Sequence, residues 1–370
     1  GAYFVQEALF VLIGFLLLYS CFTFWNRQSP VRAAIVGLLT GAFFLTKETA
    51  IIHIAAIALV VFIAFPTGRR LESWQKAARL PNLAAGLVSF VLIWVLFYSS
   101  GFKDFSQVGD SFKAFINYAE RAQGAGHEKP FFYYLSIMWP HTAEGVRWGE
   151  ALFLLLSFAG LIVTLLDRRS LDPRIQIGIL YGFLSLLLYS TIPYKTPWLV
   201  LSSYASLALA AGLAIRFLYV RYSNGWIRVI IIGVSLYCLF GQYKLTKLAN
   251  RYAADARNPY IYQHTSPQFQ KLVNRITDLE ALDPERQLTI AIGGDDNAWP
   301  LPWYLRDNDT VGYWMDPKQT PPLDVVVGPA GELPPTLSVT HIPEYHGLRE
   351  NVLLECWIRN ELWDAFMETR

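Results

Sequence analysis

Eight stretches of this chain contain no Lys, Arg, Asp or Glu: residues 8–25, 33–46, 49–68, 80–102, 151–166, 175–194, 196–215 and 229–243. Nothing else in the sequence narrows the fold as much. A helix needs roughly 20 apolar residues to cross the hydrocarbon core of a bilayer, with a range of about 17–25. Inside lipid every backbone polar group must also be paired, which a lone segment achieves only as a helix. Five of the windows hold 18 residues or more. The three shorter ones, 33–46, 151–166 and 229–243, span if flanking Arg, Lys or Glu side chains snorkel to the interface; a buried core helix is the alternative for each. Composition agrees: the 370 residues are 54% hydrophobic and 16% charged, too apolar for a water-soluble chain of this length.

From about residue 250 the character changes to charges, prolines and short apolar runs, with no spanning window. The expected fold is therefore a polytopic α-helical membrane protein of about eight transmembrane helices with a small C-terminal α/β soluble domain. The boundaries fall at 1–250 for the membrane domain, with a large exterior loop at 101–148, and 251–370 for the soluble part. In that part 266–281 has helical periodicity, and "LTIAI" (288–292) and "DVVVG" (324–328) read as buried strands bounded by turn residues. Asp295 and Asp296, after the first of these strands, read as capping and solvating residues, with a sugar or metal contact as the alternative.

Basic residues orient the spans. If the spans alternate, loops 26–32, 67–83, 167–174 and 216–228 share one side and carry 12 Lys or Arg in 45 residues. The other side, 46–51, 101–148 and 193–198, carries 7 in 60. The positive-inside rule makes the first set cytoplasmic and places the C-terminal domain outside a cell membrane. The net charge of +2 and the lack of a basic cluster with interleaved aromatics give no nucleic-acid partner. Cys21, Cys238 and Cys356 form no CxxC, so neither a disulfide framework nor a zinc site is implied. The phosphate-cradling GxxxxGK[ST], the GxSxG elbow and HExxH are all missing, which argues against ATP coupling within the chain.

On this topology the unusual ionisable residues gather at the outer face: Glu7, Lys47, Glu48, His127, Glu128, Lys129 and Lys195. "TKETA" (46–50) breaks apolar sequence with a Lys-Glu pair, either a functional pair at the membrane surface or a solvated turn. In "IPYKTPWLVL" (192–201) Pro193 and Pro197 bracket Tyr194 and Lys195, so neither helix runs through. A fixed ammonium there suits a lipid-linked phosphate; a snorkelling anchor beside Trp198 is the plainer reading. "HEKPFFYYL" (127–135) stands where the exterior loop re-enters the membrane, behind an amphipathic helix over 105–122 that Gly124 and Gly126 end. "YFVQEALF" (3–10) puts Glu7 at the head of the first span, as a helix-dipole acid or as a site ligand.

In this order the motifs "YFVQEALF", "GLLTGAFFLTKETA", "GHEKPFFYYL" and "YKTPWLVL", with "NPYIYQHTSP" and "AWPLPWYLRD" in the tail, resemble the multi-span glycosyltransferases of the GT-C class. Within that class the chain is similar to the protein mannosyltransferases and aminoarabinose lipid A transferases. It is most similar to the flippase-activity-associated proteins of archaeal-type N-glycosylation. The resemblance implies a polyprenyl-phosphate sugar donor and a glycan, lipid or protein acceptor at the outer face. Such enzymes carry an acidic motif in a first exterior loop; Glu7 matches a second acidic position instead. The chain begins with Gly rather than Met, so either that first loop lies in a segment preceding it or the function has changed.

The chemistry such a transfer demands assigns the residues. An acceptor hydroxyl loses its proton to a carboxylate, supplied by Glu7, Glu48 or Glu128. The anomeric carbon gains oxocarbenium character, and the departing phosphate is met by positioned cations: Lys47, Lys129, Lys195 and His127, with Tyr194 alongside. A divalent metal is a further possibility, with Glu7 as its ligand. Two other readings compete: a non-catalytic component assisting the flipping of lipid-linked sugars, and a transporter. The transporter wants ionisable groups at mid-membrane, where the windows offer only His53.

Overall fold

A computed structural model describes residues 7–64, 75–121, 128–167, 171–261, 265–294 and 299–369. The chain is mostly helical and divides into two compact units, Gly1–Arg251 and Tyr252–Arg370.

Each of the eight charge-free windows overlaps a helix of the first unit: α1 (Glu7–Asn26), α2 (Pro30–Thr46), α3 (Ala50–Ala64), α4 (Leu80–Tyr98), α7 (Ala151–Leu166), α8 (Pro173–Thr191), α9 (Leu201–Arg221) and α10 (Gly225–Arg251). Between α4 and α7 run α5 (Ser106–Arg121), α6 (Tyr133–Met138) and a hairpin of β1 (His141–Ala143) and β2 (Val146–Trp148). Among the described residues five helices are long and apolar enough to cross a membrane: α1, α4, α8, α9 with its 3-10 lead-in from Pro197, and α10. The set differs from the five longest windows at two places. The described part of α3 has 15 residues, whereas the 229–243 window sits inside a 27-residue helix. Counting between charges stops at Arg228 and Lys244, but α10 carries both: Arg228 lies 4.9 Å over the Tyr219 ring and Lys244 5.0 Å over Phe240. Their long stems let a helix continue past the last uncharged residue.

Caps start the helices where the sequence offers them. Ser29 and Asp172 accept from the backbone N–H groups of Arg32 and Arg174, each with a proline at the first helical position, and Asn224 accepts from Trp226 N at 2.9 Å. The packing between helices then runs through small residues. A Cβ built on Gly37 would stand 2.0 Å from the Gly86 carbonyl oxygen, which sets α2 against α4 at backbone distance. One on Gly160 would stand 1.8 Å from Ala210 O, between α7 and α9, and one on Gly182 2.0 Å from Ser206 Cβ, between α8 and α9. Phe10 and Phe43 stack at 4.2 Å inside the bundle.

The second unit is a mixed five-stranded sheet in the order β4-β3-β5-β7-β6, built from β3 (Ile290–Gly293), β4 (Val311–Trp314), β5 (Val325–Pro329), β6 (His341–Arg349) and β7 (Val352–Arg359). The β3/β4 and β3/β5 pairs are parallel; β5/β7 and β6/β7 are antiparallel. Helices α11 (Pro267–Glu280) and α13 (Asn360–Glu368) cover one face, where Phe269, Leu272, Ile276 and Phe366 pack on Ile290, Ile292, Val325 and Ile358; a four-residue turn of helix, α12 (Leu301–Tyr304), follows β3. Ala291, Val326, Leu333 and Leu337 fill the opposite face. Burial on both faces explains why "LTIAI" and "DVVVG" are continuous apolar runs rather than alternating ones.

Candidate functional site

Glu7 is the first residue of α1, where a carboxylate is favoured by the helix dipole, yet it is only 2% exposed. Its partner is Lys47, the residue at which α2 stops: the Thr46 hydroxyl donates to Phe43 O at 2.6 Å and Lys47 turns extended. Glu48 follows, half-buried in the tight turn into α3. Taking two charges out of water is unfavourable by several kcal/mol per ion before their attraction is counted, so this pair is not explained by stability alone.

One turn into α3, His53 is fully buried. Its Nδ1 lies 2.8 Å from the Tyr181 hydroxyl and its Nε2 3.0 Å from that of Tyr189, both on α8, while the Phe10 ring meets it edge-on at 4.9 Å. With both ring nitrogens engaged, His53 is a satisfied polar joint between α3 and α8.

The segments 128–130 and 193–195 come together. Glu128 and Tyr194 form an antiparallel bridge, and Lys129 N donates to Pro193 O at 3.1 Å. Lys195 is 1% exposed, and its ammonium donates to Ile192 O at 2.5 Å and Lys129 O at 3.0 Å. Burial pushes the Lys195 ammonium below the ordinary lysine range. The side chain thus clamps the two segments through backbone carbonyls, and the exposed neighbours Glu128 and Lys129 are what the clamp presents outward. His127 lies outside the described residues, as do Gly124, Gly126, Asp295 and Asp296.

A third group was not singled out in the sequence. Glu150, at the head of α7, is buried and accepts from the Tyr204 hydroxyl of α9, which also lies 2.7 Å from Gln242 Oε1 on α10. The signal was present: like Glu7, Glu150 is an acid immediately before a charge-free window.

The N-terminal ends of α1, α3, α7 and α9 and the C-terminal ends of α2, α8 and α10 supply these groups; with the alternation of spans expected from the sequence, those ends fall on one side. The candidate residues fall into two sets, Glu7 with Lys47 and Glu128–Lys129 with Tyr194–Lys195. Among the described residues no three His, Cys, Asp or Glu side chains gather as metal ligands. No family model, curated protein or solved structure matches the chain.

Proposed function

We propose that this protein is a membrane glycosyltransferase of the GT-C kind, with eight spans and the polar end of the bundle facing outward. It moves a sugar from a polyprenyl-phosphate carrier to a glycan, lipid or protein acceptor. The observation that supports this most is the buried Glu7–Lys47 pair, a carboxylate fixed in position at one end of an apolar bundle. In this reading Glu7 takes the proton of the acceptor hydroxyl as the glycosidic bond to the carrier breaks. The leaving phosphate carries the electron pair away, and exposed Lys129 meets its charge. Lys195 acts one step back, since its ammonium is committed to the carbonyls that hold Lys129 and Tyr194.

Transfer of radiolabelled sugar from a short-chain polyprenyl phosphate by the reconstituted full chain tests this. Glu7→Gln should lower turnover about 100-fold or more, comparable to losing one preorganised catalytic group, with protein abundance retained. Wild-type turnover in Glu7→Gln refutes the assignment. Protein-dependent translocation of the lipid-linked sugar without any transfer favours a non-catalytic role in flipping.

A further inference from the structure

A cleft of about 880 Å³ lies between the β1–β2 hairpin and the C-terminal half of α10. One wall is a stripe of α10: Tyr237, Gly241, Lys244, Leu248 and Arg251, spaced at three and four residues and therefore on one helix face, with Lys247 beside it. Arg147 and His141 line the other wall. Four permanent cations thus face one space, and among the described lining residues none is acidic. Lys244, Lys247, Arg251 and Arg147 are all exposed at the cleft surface.

The helix that forms the main wall is unusual. Ile231 is the only buried residue of α10, and Val229, Ile230, Ile232, Leu236, Leu239 and Phe240 are exposed. At 1.5 Å per residue its 27 residues extend about 40 Å, some 10 Å beyond a hydrocarbon core of about 30 Å. The apolar stretch therefore lies at chain depth and the cations of its last two turns at headgroup depth. On the orientation proposed above this is the outer face, where the positive-inside bias gives no reason for three cations on one helix end.

The geometry points to a binding site for a phosphate-bearing membrane lipid: the phosphate sits among Lys244, Lys247, Arg251 and Arg147, and the hydrocarbon chain lies along α10. The cleft joins an anion-binding rim to a lipid-exposed apolar groove wall, and a lipid with an anionic head has both parts. A free phosphate shares the headgroup chemistry but leaves the α10 face without a role. The site stands apart from glycosyl transfer and does not depend on it.

The test reconstitutes the full chain in phosphatidylcholine vesicles and measures, by electron spin resonance, the association of spin-labelled phosphatidic acid relative to spin-labelled phosphatidylcholine. Each interfacial cation contributes about 1 kcal/mol towards an anionic lipid, so selectivity for phosphatidic acid should be about tenfold or greater. The variant Lys244→Gln/Lys247→Gln/Arg251→Gln should abolish it, and Arg147→Gln, on the opposite wall, should reduce it several-fold. Lys271→Gln/Arg306→Gln/Lys318→Gln removes the same net charge from the C-terminal unit and should leave selectivity intact; unchanged melting temperatures confirm that the variants fold. The proposal is overturned if the α10 triple variant keeps wild-type selectivity, if the C-terminal variant loses as much, or if Arg147→Gln has no effect. Displacement of the labelled lipid by equimolar inorganic pyrophosphate assigns the cleft to a soluble phosphate instead and equally overturns it.

Discussion

At the scale of single residues, burial changes what a charged side chain is for. Lys195 looked like a phosphate contact because two prolines fix it in a turn; in the structure its ammonium serves two carbonyls. Hydrogen bonds to a charged group contribute about 1.5–3 kcal/mol, so Lys195→Met should destabilise the detergent-solubilised chain by about that much, read by thermal unfolding. Lys129→Gln, at an exposed position, should stay within about 0.5 kcal/mol of wild type; equal effects would remove the clamp. In the second unit Arg275 grips Glu344 with two bonds of 2.8 and 2.7 Å while stacking 4.3 Å over Phe366. Burial pushes the Glu344 carboxyl up, but the His346 and Arg275 side chains outweigh it and hold it down at about 2. A depressed carboxyl contributes stability above its ordinary value and loses it as pH falls. Tryptophan-fluorescence melts should therefore show the second unit weakening between about pH 4.5 and pH 2, and Glu344→Gln should flatten that part of the dependence.

At the scale of elements, glycines decide how closely the helices approach. Gly37 and Gly41 are spaced as GxxxG along α2, and Gly37 and Gly160 each face a carbonyl oxygen of the neighbouring helix. Gly37→Ala and Gly160→Ala should each destabilise the bundle by about 1–3 kcal/mol through overpacking, measured by unfolding in mixed micelles. Gly233→Ala, whose new Cβ meets nothing within 4 Å, should be neutral or mildly stabilising, since alanine is the better helix former; an equal loss there would refute overpacking as the cause. The helices themselves were legible because charge-free windows mark them in one dimension. The amphipathic α5 and the α11 helix were legible for the same reason, through periodicity. Strands β4, β6 and β7 were not: β6 contains Pro343, which a strand tolerates only at a sheet edge, and it is an edge strand only because β7 pairs with its inner side. Nothing local announces that neighbour.

At the scale of the whole molecule, the sequence picks out single charged residues but not the joints between helices. Glu7, Lys47 and the 194–195 turn stand out as charges in apolar surroundings. Glu150, Tyr204 and Gln242 become a group only when α7, α9 and α10 are brought together, and the cationic cleft needs a hairpin about 100 residues before the helix it faces. The orientation argument makes a plain prediction: a fluorescent reporter that matures only in the cytoplasm, fused after Arg370, should stay dark, and a bright signal would invert the topology. A different consequence follows from α10 burying one residue. The other long helices are held in place by glycine contacts or interior aromatics, so their sequences are constrained by shape. Along α10 an exchange among Leu, Ile and Val leaves the lipid contact almost unaltered, whereas Arg228, Gln242 and the cationic stripe have partners to lose. In evolutionary terms α10 is free to drift over most of its length, and the positions that resist drift there will be those that do something other than fill the membrane.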